Sequence, residues 1–160
     1  MFGSFTHLTF WLVAAVWLAA GLGGCAVSAA APPEVAVGDT PNEVVRLFYD
    51  WYLDYARFDP ERGTRNNPLV DGAYRDSRYL SPQFIRTIDE QLAGGEIRFD
   101  PFLCAQDVPN AVDMIETSLT PDAARMTIRT GLGNTFAVFV EPVNDTWQIT
   151  RVDCTLESTE

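Results

Sequence analysis

The sequence predicts a domain of the α+β class, in which N-terminal helices pack on a curved antiparallel sheet of about four strands. Apolar residues recur at helical spacing in the first part of residues 40–160, and they alternate with polar residues in the last third. Helices that precede a run of hairpin-connected strands pack together on one face of the sheet. A single domain of this length can bury a core of its own.

The first helix is predicted to begin after Thr40 and to run to about Ala56. Thr40 is a helix-capping residue, Pro41 suits the first helical position, and Glu43 completes a capping box. One apolar stripe follows at helical spacing, with Val44, Phe48, Trp51, Tyr52 and Tyr55 as its members.

A polar stretch from Arg57 to Asp76 is predicted to be a loop, because glycine, asparagine and proline recur in it. A second helix is predicted to begin at Ser81-Pro82 and to end at Gly94-Gly95, by the same logic of cap and stop signals. Its core-facing residues are predicted to be Phe84, Ile85, Ile88 and Leu92.

Four strands are predicted in the last third of the chain. The alternation is clearest in two of them, where one face is apolar and its members are Ala124, Met126, Ile128, Phe136, Val138 and Val140. A first strand over Val112–Leu119 alternates less regularly, and a last one begins at Trp147 and ends near Cys154. Turn-forming residues separate the strands.

The N-terminus has the pattern of a bacterial lipoprotein signal. An apolar run from Phe10 to Leu22 is shorter than the roughly 20 residues of a spanning helix, and Leu22-Gly23-Gly24 directly precedes Cys25. The pattern predicts that residues 1–24 are removed and that Cys25 is acylated. The alternative is an uncleaved membrane anchor, because residues 1–9 lack the lysine or arginine of a standard signal. The protein would then be anchored in the cell membrane or the outer membrane, with its domain outside the cytoplasm.

Residues 25–39 are predicted to form a tether between the anchor and the domain, because they are rich in alanine, valine and proline. More than one acyl chain is needed for stable anchoring, since each buried methylene contributes about 0.8 kcal/mol.

Charge and composition exclude several functions. The chain has 22 acidic and 11 basic residues and a net charge of −11, so its surface repels nucleic acid. It has no lysine, and its single histidine, His7, lies in the predicted signal. The mature chain would therefore lack a Ser-His-Asp triad, a Schiff-base amine and an imidazole zinc site. We expect no cofactor and no metal, since the acidic loop Asp71–Asp76 also lacks EF-hand spacing.

Two cysteines, Cys104 and Cys154, remain in the predicted mature domain. Because cysteines pair in an oxidising compartment, we expect a disulfide bond between them. A paired thiol is not available as a nucleophile, so any catalysis would depend on Asp, Glu, Tyr, Arg or a hydroxyl group.

Three stretches together resemble a family of bacterial envelope proteins and lipoproteins known as domain of unknown function 3828. They are Val45–Tyr52, Asp100–Asp107, and Trp147–Ile149 with the nearby Cys154, and the resemblance spans residues 40–156. It implies the cone-like fold of nuclear transport factor 2-like and cystatin-like proteins, in which helices line a curved sheet and enclose a pocket. The resemblance implies no activity.

Five residues are candidates for a pocket at the mouth of such a cone, namely Tyr49, Tyr52, Asp100, Gln106 and Asp107. In a functional interpretation they bind a small polar ligand or perform acid-base chemistry. In a structural interpretation, which we favour, Asp100 forms a turn with Pro101, and Gln106 and Asp107 satisfy nearby backbone groups.

Three hypotheses for function remain open at this point. The first is a non-enzymatic envelope lipoprotein that binds a small ligand or an envelope partner. The second is a small enzyme that uses the carboxylate of Asp100 or Asp107. The third is an interaction module that presents Arg125, Thr127 and Arg129 on the outer face of the sheet.

Overall fold

The computed structural model describes residues 40–61 and 63–155, so the predicted signal, Cys25 and the tether lie outside the described residues. Two helices pack against a four-stranded antiparallel sheet, and the predicted α+β class is confirmed. In chain order the elements are helix α1 (Pro41–Tyr55), strands β1 (Phe58–Asp59) and β2 (Thr64–Arg65), a 3-10 helix (Ala73–Asp76), helix α2 (Pro82–Ala93), and strands β3 (Val112–Leu119), β4 (Ala124–Thr130), β5 (Thr135–Val143) and β6 (Thr146–Asp153).

Helix α1 has the predicted cap and the predicted buried face. The Glu43 backbone N–H donates to Thr40 Oγ1 at 3.3 Å, and the Thr40 N–H donates to Glu43 Oε2 at 3.0 Å. This reciprocal pair satisfies two of the N–H groups that a helix start leaves without partners. The buried face contains the aromatic stripe and joins the core through Val44, Phe48, Trp51 and Tyr52.

Helix α2 begins at the predicted serine, since the Phe84 N–H donates to Ser81 Oγ at 3.1 Å. Phe84 and Ile88 are buried, whereas Ile85 and Leu92 are half-buried and pack against the edge of the core. Gly95, just beyond the end of the helix, has a φ of 69°, a conformation that glycine adopts without steric cost.

The sheet is a meander in the order β3-β4-β5-β6, as the sequence predicts. Its inner face is formed by the alternating apolar residues, and Met126, Ile128, Phe136 and Val138 are all buried. The register shifts once between β3 and β4, at Met114/Glu116, and once between β5 and β6, at Phe139/Val140. Irregularities of this kind bend and twist the strands that contain them.

The two edges of the sheet differ. A segment before α2 lies along β6, where the Ser81 N–H donates to the Ile149 carbonyl at 2.9 Å and the Ile149 N–H donates to the Tyr79 carbonyl at 2.7 Å. In residues 40–61 and 63–155, by contrast, no segment pairs with the outer side of β3. The β6 edge is therefore bridged at Ile149, whereas the β3 edge is open in the described residues.

Some details differ from the sequence predictions. The predicted loop 57–76 contains the β1–β2 hairpin and the 3-10 helix, elements too short to produce a periodic pattern. Thr127, predicted on the exposed face, is only 7% exposed, because it lies between Glu116 and Arg125 and hydrogen-bonds to both. Neither described helix is long and apolar enough to cross a membrane.

Candidate interaction site

Three of the five candidate pocket residues meet beneath helix α1. Tyr52 Oη donates to Asp100 Oδ2 at 2.6 Å, and Tyr49 Oη donates to the backbone carbonyl of Phe102 at 2.8 Å. Both tyrosines are at most 1% exposed, and the Phe102 ring packs against Phe48 and Tyr52. The two hydroxyl groups therefore hold the segment after Asp100 against the helix.

Asp100 organises a tight turn. Its Oδ1 accepts the Phe102 N–H at 2.9 Å and the Leu103 N–H at 3.2 Å, and its carbonyl accepts the Cys104 N–H at 2.8 Å. Burial raises the pKa of the Asp100 carboxyl, although the hydrogen bonds from Tyr52 and the two backbone groups oppose that rise. Burial also raises the pKa of Tyr52, and the charge of Asp100 adds to that effect. A tyrosine held neutral in this way is a donor rather than a base.

The predicted disulfide bond between Cys104 and Cys154 is confirmed. Cys104 has a φ of 51°, which ends the turn, and its carbonyl accepts the Asn134 side-chain amide at 3.2 Å. The bond ties the turn to the end of β6. Tyr49, Tyr52 and the disulfide thus fix one turn from two sides.

The other two candidates are placed differently. Gln106 and Asp107 follow the turn and are exposed, whereas Asp100 lies below Tyr52. Asp100 has both carboxylate oxygens engaged in hydrogen bonds. Through these hydrogen bonds Tyr49, Tyr52 and Asp100 hold the turn against α1 and stabilise the fold. Among the residues described, no group of three or more His, Cys, Asp or Glu side chains is placed to hold a metal ion.

A groove with a cavity of about 320 Å³ lies between α1 and the open edge strand β3. Its floor is apolar, and Val45, Val112, Met114 and Ile128 contribute to it. Its rim is polar and exposed, and consists of Asn42, Glu43, Arg46, Asp50 and Asp113. A second cavity, of about 400 Å³, lies between α2 and the last residues of β6 beside the disulfide.

The rim of the α1–β3 groove is negatively charged. Glu43, Asp50 and Asp113 contribute three carboxylates, and Arg46 contributes the single guanidinium, which pairs with Asp50 at 2.9 Å. The β3 edge adds two exposed apolar side chains, since Ile115 is 47% exposed and Leu119 is 62% exposed. An apolar floor, an acidic rim and an open strand edge thus occur together at one place.

Of the five candidate pocket residues, Tyr49 lines this groove, but sequence reasoning predicted neither its apolar floor nor its acidic rim. A further signal is the weak alternation of Val112–Leu119, where six of the eight residues prove to be exposed. A strand that buries little on either face is an edge strand. The groove itself depends on the distance between α1 and β3, which the sequence pattern does not encode.

The fold has relatives among solved structures. A chain in the crystal structure of the type VI native effector–immunity complex Tae3-Tai3 from Ralstonia pickettii matches with a TM-score of 0.57 and 20% identity, over 74% of this chain and 98% of that one. The selenomethionine form of the same complex matches with a TM-score of 0.56 and 19% identity, over 74% and 99%. The likeness is one of fold.

No protein-family model and no curated protein sequence matches this chain. The resemblance to domain of unknown function 3828 and to the nuclear transport factor 2-like fold therefore stays a prediction. The solved complexes instead provide a fold match to almost the full length of one of their chains.

Proposed function

We propose that this protein is a non-enzymatic envelope lipoprotein that binds a protein partner and acts as the immunity component of an effector–immunity pair. The observation that carries this proposal is the fold shared with a chain of the Tae3-Tai3 complexes over nearly the whole of that chain. In this role the protein neutralises a toxic effector by binding it outside the cytoplasm.

The chemistry of the chain supports the immunity side of such a pair rather than the effector side. The domain has no histidine and no lysine, and its two cysteines form a disulfide. Asp100, the carboxylate with the strongest claim to a catalytic role, is engaged in three hydrogen bonds that hold a turn. An inhibitor needs none of the missing groups, because it acts through surface complementarity.

The predicted anchor fits this role. A disulfide bond is typical of a protein that works in an oxidising compartment, and Cys25 would hold the domain there at the membrane. Growth with radiolabelled palmitate tests the anchor directly, and the label should be lost in Cys25→Ser. Labelling that persists in that variant would contradict lipidation at Cys25.

The experiment that tests the proposal is a neutralisation assay. The tagged protein is purified from its own host in mild detergent, and a stoichiometric partner is identified by mass spectrometry. That partner is then exported to the periplasm of a test bacterium, with or without this protein. We expect the partner alone to stop growth and co-expression of the whole chain to restore it.

Two results would overturn the proposal. In the first, no polypeptide copurifies in stoichiometric amount and the protein carries a small molecule instead, which would favour a ligand-binding role. In the second, the partner binds tightly but is harmless in the periplasm, so that the protein would be an assembly factor rather than an immunity protein.

A further inference from the structure

We infer that the partner docks on the open β3 edge and the α1–β3 groove through an extended segment in which apolar residues alternate with arginine or lysine. This inference deepens the proposed function, because it names the surface and the chemistry of the partner segment. It rests on the open edge, on the groove beneath it and on the charges around both.

The edge provides the backbone for docking. Strand β3 is eight residues long, and within the described part of the chain its outer N–H and C=O groups face no other strand. An extended peptide can pair with such an edge and lengthen the sheet. The opposite edge is interrupted at Ile149, where Tyr79 and Ser81 hydrogen-bond to its backbone.

The groove gives the added strand its apolar positions. Side chains of a strand point alternately to the two faces of a sheet, so every second residue of a docked segment would face α1. There it meets the apolar floor formed by Val45, Val112 and Met114, in a cavity of about 320 Å³. Ile115 and Leu119 extend apolar surface along the edge itself.

The charges specify the remaining positions. On the outer face of β3 the exposed residues Asp113 and Glu116 lie opposite Arg129 and Thr127 in the register. Together with Glu43 and Asp50 they give four carboxylates against the three guanidiniums of Arg46, Arg125 and Arg129, and Thr127 connects Arg125 to Glu116. Arginine or lysine side chains on a docked segment would compensate this excess, and the net charge of −11 would attract a basic partner from a distance.

A second copy of this chain fits the edge poorly. Pairing two β3 strands would bring the carboxylates of both copies together, which is unfavourable. The surface therefore favours a different, basic protein.

Site-specific photo-crosslinking in the host tests the inference. The whole chain carries benzoylphenylalanine in place of Ile115 at the edge, or in place of Val70, which is 80% exposed and outside the groove lining, as the matched control. We expect the Ile115 probe, and not the Val70 probe, to capture the partner found in the neutralisation assay. Peptide mapping should place the crosslink in a segment where apolar residues alternate with arginine or lysine.

Charge variants complete the test. The isosteric pair Asp113→Asn and Glu116→Gln should weaken binding of that partner about tenfold at low salt, since complementary charges steer and hold such contacts. The control pair Asp76→Asn and Glu90→Gln makes the same change in net charge at exposed sites outside the groove. It should leave the affinity within about twofold, as expected for charges remote from an interface.

The possible outcomes separate the two proposals. A partner captured only from Val70, or an Ile115 crosslink to a second copy or to residues 25–39 of this chain, overturns the docking surface and leaves the immunity role standing. A crosslink within an acidic or helical segment of the partner overturns the proposed chemistry of that segment. If no polypeptide is captured from either site and none copurifies, the immunity role itself fails.

Discussion

Tyr49 and Tyr52 lie one helical turn apart, and their buried hydroxyl groups have acceptors of different charge. Tyr49 donates to a neutral backbone carbonyl, whereas Tyr52 donates to the carboxylate of Asp100. Hydrogen bonds to charged acceptors contribute about 1.5–3 kcal/mol, and those between neutral groups contribute about 0.5–1.5 kcal/mol. The two positions are therefore a matched pair for measuring how the buried charge affects stability.

We expect Tyr52→Phe to destabilise the protein by about 2 kcal/mol at neutral pH and by less in acid. Burial already raises the native pKa of Asp100 above its ordinary value of 3.8, so its ionisation disfavours folding as the pH rises through the native pKa. Removal of the Tyr52 hydroxyl raises that pKa further. Urea unfolding between acid and neutral pH should therefore show a loss that grows with pH.

Tyr49→Phe is the control for this pH dependence. It leaves one neutral carbonyl of Phe102 without its donor, so its cost should be about 1 kcal/mol and nearly constant with pH. Parallel pH curves for the two variants would mean that Asp100 is not ionised in the native protein at neutral pH.

At the scale of the elements, the two helix caps differ in burial. Thr40 is exposed, whereas Ser81 is only 3% exposed and its cap bond to the Phe84 N–H is buried. When an exposed capping side chain is removed, water can accept the helix N–H group in its place. Water cannot reach the N–H group of a buried cap. Within the usual range of 0.5–2 kcal/mol, we expect Thr40→Ala to cost about 0.5 kcal/mol and Ser81→Ala about 2 kcal/mol.

The unfolding free energies of the two cap variants check this prediction. Because both substitutions remove one hydroxyl acceptor at a helix start that has proline next, intrinsic helix propensity contributes similarly to each. Equal losses would show that burial of the Ser81 cap adds nothing to its stabilisation.

Both helices and all four strands of the large sheet could be predicted from the sequence because each has local signals. Caps, stop residues and apolar periodicity lie within the element that they define, as Thr40, Ser81 and the alternation around Met126 show. The pairing of the segment before α2 with β6 has no such local signal. It depends on hydrogen bonds from Tyr79 and Ser81 to Ile149, which is far away in the chain.

The same distinction applies to the candidate site. The disulfide and the proximity of Tyr49, Tyr52 and Asp100 follow from residue types and an assumed packing of α1 on the sheet. The groove could not be predicted, because it is the space that α1 leaves beside β3. A space between two elements depends on their three-dimensional placement, which no local pattern records.

At the scale of the whole molecule, the disulfide closes a large loop. Cys104 and Cys154 are 50 residues apart, and on the chain-entropy model a bond across this separation stabilises the fold by about 4 kcal/mol. We expect the double variant Cys104→Ser/Cys154→Ser to lose about that much in urea unfolding. Reducing agent should lower the unfolding free energy of the natural protein and leave that of the double variant unchanged. An equal decrease in both would mean that the reducing agent acts on something other than this disulfide.

The net charge of −11 has two consequences of opposite sign, which one salt titration separates. Like charges repel within the folded chain, so screening should raise its melting temperature. Attraction of a basic partner is screened by the same ions, so the association rate constant should fall.

From about 0.01 M to about 0.15 M salt, the Debye length falls from about 30 Å to about 8 Å, and we expect both changes over this range. The variant pair Asp113→Asn/Glu116→Gln should flatten the salt dependence of the rate more than the control pair Asp76→Asn/Glu90→Gln, while the melting curves of the two pairs respond alike. A rate that is insensitive to salt would mean that the partner recognises the apolar groove without its acidic rim.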